Sequence, residues 1–372
     1  MKKLSDKILI WLFVGFIGVL FCLFLFLPDR EFSEQENRYL QTAPRFSFSS
    51  LFSGDFTSDF ESYTTDQFAF RDTWTSLKAR SELAVGKKEN NGVWMCKDML
   101  IEGFVSPSDA ELSRRQTALD MLVENSEVPV YLALIPDKSE LYADELPSGA
   151  PNGSESGIIS RIYSDTSAQT VDVLGVLRAH RDEYIFYNTD HHWSTLGAYY
   201  GYTAIADAMG FEANDISHYE QVTVSDSFYG TTYSSSGFSW VSPDKMQIFA
   251  DASGAEVVNY PTGSAVSGVV YDYTRLESKD KYAMFFGGNT PRLVISTGAS
   301  DELPSLLIVR DSYADCLTPF LFDHFSQIHV LDLRYYLSSL SAYIGENGID
   351  QVLVMYSVPN FCSDTNVPLL AR

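Results

Sequence analysis

Cysteine is scarce in this chain: four in 372 residues, at Cys22, Cys96, Cys316 and Cys362. Cys22 lies inside an apolar run, so three widely spaced cysteines remain, which excludes a disulfide scaffold. No Cys-x-x-Cys pair supplies a zinc pattern. A basic block is also missing. The formal charge is −23 with no Lys/Arg cluster to offset it, which excludes nucleic acid and a uniformly anionic surface as partners. There is no internal repeat. Long apolar runs are lacking as well, with one exception. Ile8 to Leu27 is unbroken apart from two glycines and has the length of a membrane-spanning helix. Lys2, Lys3 and Lys7 precede it, which predicts a cytoplasmic N-terminus and an extracellular remainder. A cleaved signal peptide is the competing reading, but the run is long and Pro28-Asp29-Arg30-Glu31 has no small-x-small cleavage site. The expected division is therefore a cytoplasmic stub and anchor over residues 1–30 and an extracellular domain over 31–372.

What is abundant is core material, with 45% apolar and 14% aromatic residues, enough for one large domain or two ordinary ones. Residues 30–50 read as a tether. Phe52 to Val85 has helical character, with a break at Asp66–Asp72. Gly92–Cys96 and Met99–Glu102 flank Lys97-Asp98 as a hairpin. Ser108 to Asn125 has the apolar spacing of an amphipathic helix, and Val128–Ile135 is a buried strand. Helical spacing over Val171–Ala179 leads to a short strand at Tyr184–Tyr187. Across 217–304, Gly, Ser, Thr and Tyr rise and short strand patterns appear, including Val269–Tyr271 and Tyr282–Phe286; this reads as a β-rich insertion. The end of the chain alternates strands (Leu306–Val309, Ile328–Leu331, Val352–Tyr356) with helices near Pro319–His324 and Leu337–Ile344. Such alternation implies an α/β fold with a parallel sheet.

Two of the six histidines are adjacent, in Asp190-His191-His192-Trp193. Ser194 can cap a following helix and Gly210 can end it. The tetrad then sits on a strand-to-helix turn, where open α/β sheets place their chemistry. An imidazole there can move a proton near neutral pH, and an aspartate two residues away can hold its tautomer. Alternatively the tetrad is a structural turn, its aspartate bonding nearby amides. Ser312 stands after another strand, at the turn of Arg310-Asp311-Ser312-Tyr313. It is either a helix cap or a nucleophile for which Asp190-x-His192 supplies the base.

The tetrad resembles the signature of the DHHW protein family, which is similar to the SGNH-hydrolase-like alginate O-acetylation proteins of the AlgJ/AlgX type. Asp66-Gln67-Phe68-Ala69-Phe70-Arg71-Asp72, Ile135-Pro136-Asp137-Lys138, Arg310–Tyr313 and Asp332-Leu333-Arg334-Tyr335-Tyr336 agree with it in order. The resemblance implies a three-layer α/β/α fold with a mostly parallel sheet, circularly permuted so that the serine follows the acid–imidazole pair. It implies Ser312, His192 and Asp190 as catalytic residues. Asn360, Arg334, Tyr313, Lys138 and His191 become candidates for oxyanion or substrate contacts. Arg334 and Arg310 stand where the pattern has glycines. The implied activity is O-acetyl transfer to a cell-surface polysaccharide, with a membrane-bound O-acyltransferase as partner and no cofactor. A carbohydrate esterase and a catalytically silent surface binder are the alternatives. A metal hydrolase on Asp190, His191 and His192 ranks last, because adjacent histidines in an extended chain point to opposite sides.

Overall fold

Strands buried on both faces need no polar alternation, and the apolar runs of the sequence form such a sheet. In the computed structural model, which describes residues 2–372, its strands are β1 (Val130–Ile135), β2 (Gln169–Thr170), β3 (Glu256–Asn259), β4 (Val266–Ser267), β5 (Arg292–Ser296), β6 (Ser305–Arg310), β7 (Gln327–Leu331) and β8 (Gln351–Ser357). Their spatial order is β4-β3-β5-β7-β6-β8-β1-β2. The block β7-β6-β8-β1-β2 is parallel, and β5, β3 and β4 extend it in antiparallel pairing. Three strands of the 217–304 stretch thus belong to the central sheet, and a separate two-stranded ribbon pairs Val222–Phe228 with Asp244–Ile248. Every residue of β1 is buried, as suits a strand with neighbours on both sides.

Local signals place the helices. Ser108 and Glu111 form a reciprocal capping box that starts the helix Asp109–Asn125. Ser194 caps Thr195–Met209 through the Gly197 amide, and Gly210 ends it at φ 78°. Gly201 in that helix faces the Trp193 ring at a distance where any Cβ would collide, so the helix lies flat on the indole.

Contacts divide the chain into two units. One holds the chain up to Asn91 together with Gly237–Trp240. It contains a helix whose Ser5–Phe26 portion, at mean hydropathy 2.9, is long and apolar enough to cross a membrane. The helices Phe48–Ser53, Asp55–Asp66 and Arg71–Ala84 follow. The expected break at Asp66–Asp72 is present, with Phe70 at φ 59°. Asp66 there is buried and accepts from Arg38 and from the Gln41 amide. The expected cytoplasmic stub begins at Met1, which lies outside the described residues. The other unit, Gly92–Ser236 with Val241–Arg372, carries the sheet.

Several elements differ from expectation. Tyr184–Tyr187 is not a sheet strand; Phe186 makes an isolated bridge with Trp193. Tyr282–Phe286 is one 3-10 turn, Lys281–Met284, and Tyr271 only bridges Phe285. In both places aromatic residues pack as buried loop, because their large side chains gain burial without a ladder partner. The helix after β6 begins at Tyr313, directly behind Ser312, and passes into a 3-10 turn at Thr318–Leu321.

Candidate active site

Asp190-His191-His192 occupies a tight loop closed by two backbone bonds, Tyr187 N–H to His192 O (3.3 Å) and Ser194 N–H to Ile185 O (2.9 Å). Asp244, 2% exposed, holds the approach to it. Its carboxylate accepts from the Asn188 amide (2.8 Å), the Thr189 amide (2.7 Å), the Thr189 hydroxyl (2.5 Å) and the Tyr184 hydroxyl. Ser312 sits between β6 and the helix Tyr313–Leu317. Its turn is held by Asp311, which accepts from the Tyr313 amide (3.0 Å), the Ser357 amide and hydroxyl (both 2.8 Å) and the Asn360 side chain (2.8 Å).

The two turns are bolted together. Trp193 Nε1–H donates to Tyr313 O at 2.9 Å, and the Tyr313 hydroxyl donates to His191 O. Between these bonds lies a hydrogen-bonded chain. His192 Nδ1 is 2.5 Å from Asp190 Oδ1, and His192 Nε2 is 2.7 Å from Ser312 Oγ. A carboxylate only accepts, so Nδ1 carries the proton and Nε2 presents its lone pair to the serine hydroxyl. Ser312 opens its helix without capping it; its hydroxyl is turned to the imidazole instead. The Ser312 N–H has no acceptor among the described residues.

Asp190 is 2% exposed. Burial alone would raise its carboxyl, but the charges of His191 and His192 and the bonds from His192 outweigh that and hold it well below the usual carboxylate range. Its second oxygen accepts from the Thr231 amide (2.8 Å) and hydroxyl (3.2 Å). Thr231 Oγ also lies 2.6 Å from His191 Nδ1. Its one proton goes to Asp190, so His191 Nδ1–H donates to it and His191 Nε2 remains an acceptor. That ring is 31% exposed, whereas His192 is 6% exposed. A Cβ on Gly230 would run into Asp190, so only glycine lets Thr231 approach. The Tyr282 ring stacks on His192 (3.8 Å between centroids, 8° between planes), and its hydroxyl donates to Ser312 O at 3.1 Å.

Gly230, Thr231, Asp244 and Tyr282 were missed in the sequence. All lie in the 217–304 stretch read as an insertion, far along the chain from the residues they hold. An aspartate just ahead of the Met246–Phe249 strand pattern was the one local signal available for Asp244.

The remaining candidates divide. Lys138 is buried and its ammonium donates to Leu100 O (2.5 Å) and Tyr187 O (3.1 Å), so it clamps the loop backbone and is not placed to meet substrate. Tyr313, 1% exposed, is likewise a fastener. Arg334 folds back on Asp332 at 2.6 Å and makes no hydrogen bond to the Ser312 or His192 side chain. Asn360 reaches the serine turn, but its amide donates to Asp311 and does not meet the Ser312 hydroxyl. Arg310 is fully buried and faces Asp315 at 2.9 Å.

The reason given for ranking a metal site last fails. The backbone at the tetrad is turned, not extended, and the His191 and His192 rings lie 3.9 Å apart. Donor atoms of Asp190, His191 and His192 fall within 4.8 Å of one another. Both carboxylate oxygens and three of the four imidazole nitrogens are spent on hydrogen bonds, so a cation would have to displace them. The residues therefore fit the hydrogen-bonded arrangement better than a metal.

The mostly parallel sheet with its packed helices is an SGNH-hydrolase-like α/β/α fold, in which the serine turn follows the aspartate–histidine loop along the chain. The model of the DHHW protein family matches residues 119–331, more than half of the chain, and the chain belongs to that family. No curated protein matches it. Among solved structures it is similar to a DHHW family protein from Eubacterium siraeum DSM 15702, at 25% identity and TM-score 0.66 over 76% of this chain and 95% of that one. It is also similar to Bacillus cereus PatB1 with a sulfonyl adduct, at 20% identity and TM-score 0.61 over 73% and 95%. The O-acetyltransferase domain of Pseudomonas putida AlgJ is similar at 14% identity and TM-score 0.45 over 73% and 93%.

Proposed function

We propose that the chain is a membrane-anchored SGNH-like O-acyltransferase that moves an acetyl group onto a cell-surface polysaccharide. Ser312 is the nucleophile, His192 the general base and Asp190 the group that orients it. The observation that carries the reading is the unbroken chain Asp190–His192–Ser312, at 2.5 and 2.7 Å. Ser312 Oγ attacks the acyl carbonyl carbon while its proton passes to His192 Nε2. His192 returns that proton to the departing group, which leaves an acyl-serine. An acceptor hydroxyl then gives its proton to His192 and attacks the acyl carbon, and Ser312 departs with a proton restored. Asp190, held ionised, stabilises the imidazolium in both halves. The Ser312 N–H, which has no acceptor among the described residues, and the second amide hydrogen of Asn360 are the candidate oxyanion donors.

The acceptor class comes from the resemblance to the alginate O-acetylation proteins, and the anchor from the Ser5–Phe26 helix. On this reading the helix passes once through the membrane, residues 31–372 lie outside, and a membrane-bound O-acyltransferase supplies acetyl groups from across the bilayer. If water replaces the acceptor hydroxyl, the same groups give a carbohydrate esterase. A sulfonyl fluoride tests the nucleophile: the wild-type protein should gain one sulfonyl mass at Ser312 and lose turnover of 4-nitrophenyl acetate. Ser312→Ala should resist labelling and lose that turnover while keeping its circular dichroism. Full turnover in Ser312→Ala overturns the assignment. Oligosaccharide added to the assay separates transfer, read as acetylated sugar, from hydrolysis, read as free acetate.

A further inference from the structure

The first unit exposes apolar side chains that its fold does not cover. More than half of the exposed large apolar residues beyond the Ser5–Phe26 helix lie between Tyr39 and Val85. Three of them, Phe46, Phe48 and Phe60, join one aromatic ribbon with the half-buried Phe56, Tyr63 and Phe24. Phe48 meets Phe46 (5.5 Å between centroids), Phe46 meets Phe56 (5.2 Å), and Phe56 meets Phe60 (5.9 Å). Phe60 then meets Tyr63 (6.2 Å), and Tyr63 meets Phe24 (5.7 Å). The ribbon therefore begins on the last turn of the apolar helix. The Tyr63 hydroxyl donates to Asp29 just past that helix, at 3.1 Å. Phe56, Phe60 and Tyr63 share one face of Asp55–Asp66, and Phe48 and Phe52 share one face of Phe48–Ser53. Phe52 at the tip is 87% exposed.

We infer that this ribbon is seated in the outer headgroup–acyl boundary of the bilayer, as an interfacial aromatic anchor continuous with the N-terminal helix. The inference rests on the reading that Ser5–Phe26 spans the membrane. Three observations select lipid as the occupant. The ribbon is contiguous with the end of the span. Its residues are the amphipathic aromatics and phenylalanines that suit that boundary. No Lys or Arg occurs from Phe46 to Phe70, whereas Asp55, Asp59, Glu61 and Asp66 do, so attraction to anionic headgroups does not hold it. Apolar insertion must, and high salt leaves it in place. The consequence for the proposed reaction is that the catalytic unit is tethered by a surface-lying collar as well as by one helix.

The test is spin-label depth measurement on the full chain reconstituted in phosphatidylcholine vesicles. Single nitroxides go at Phe48→Cys, Phe52→Cys and Ser58→Cys in a Cys22→Ser background; the other native cysteines are buried. Cys22 of the wild-type protein is labelled as the control for the span. Ser58 lies about half a turn from the aromatic stripe. The expected result is a ratio of oxygen to aqueous-nickel collisions several-fold higher at 48 and 52 than at 58. That ratio should stay below the value at Cys22, corresponding to roughly 5–10 Å of insertion, and should not change in high salt. Labels at 48 and 52 as nickel-accessible as 58, with Cys22 in lipid, overturn the collar and leave the span intact. Labels shielded from both relaxants show a protein occupant and overturn it as well. A nickel-accessible Cys22 overturns the span itself and the collar with it.

Discussion

Two buried aspartates hold the two turns of the site, each by accepting four hydrogen bonds. Asp311 is next to the serine it positions, and its own amide still pairs with Met355 O at 3.3 Å across the sheet. Asp244 lies more than fifty residues from the loop it positions, and that loop has no ladder, only the isolated Phe186–Trp193 bridge and single bonds from the Leu100 and Tyr233 amides. The serine turn is thus the end of a strand that would exist anyway. The acid–imidazole turn is irregular backbone whose shape depends on polar groups imported from elsewhere. A sheet ladder specifies a turn through local pattern, whereas a loop of this kind is specified by tertiary partners.

The largest expected effect bears on the imidazole itself. Asp190→Asn keeps the shape but allows the wrong tautomer, and kcat should fall about 10⁴-fold, read in an ester turnover assay. A fall of less than tenfold would mean that the Thr231 and His191 contacts hold His192 without the carboxylate. The next pair of variants tests the comparison directly. Asp244→Asn and Asp311→Asn each turn an amide toward former donors, at about 1–3 kcal/mol for each buried donor left unpaired. Asp244→Asn should lower the denaturation midpoint more than Asp311→Asn, because no ladder backs its loop. Equal losses would show that the serine turn rests on its aspartate as fully as the loop does.

A smaller effect is expected at Tyr282. Tyr282→Leu removes the flat surface under His192 and should lower kcat by about 10²-fold, the scale of a misplacement near 1 Å. Tyr282→Phe keeps the ring and loses a neutral hydrogen bond of about 1 kcal/mol, so its kcat should stay within a few-fold of wild type. If Phe is as damaging as Leu, the hydroxyl contact to Ser312 O matters more than the stack.

The effect on turnover is smallest for a pH dependence of stability behind the site. Glu155 is buried, accepts from the Asp137 amide and the Ser139 hydroxyl, and is pushed up by burial and then by the charge of Asp137, from 4.5 to about 8. Its folded pKa exceeds its unfolded one, so its contribution is fully present below pH 4.5. That contribution is lost as pH rises through about 8. Glu155→Gln should flatten the fall in stability over that window, measured by denaturant unfolding at a series of pH values. An unchanged slope would assign the dependence to the other buried acids.

The residues of the parallel core were legible in the sequence because strands buried on both faces are written as apolar runs, and β1, β6, β7 and β8 each contain such a run. Ser194, Gly210, Ser108 and Glu111 marked helix ends because caps are local chemistry. The Asp190-His191-His192-Trp193 tetrad was visible as a cluster, and Ser312 as a serine after a strand. Their proximity was not, since Ser312 follows His192 by 120 positions and no local rule spans that distance. Tertiary structure alone decided four things: that Lys138 and Tyr313 are fasteners, that the two histidine rings lie side by side, that Tyr282 lies under His192, and that Gly230 opens the way for Thr231 to reach Asp190. Each depends on a contact between segments distant in the chain. Such contacts follow from how the sheet and its loops pack, and a side chain's chemistry alone does not say which backbone it will meet.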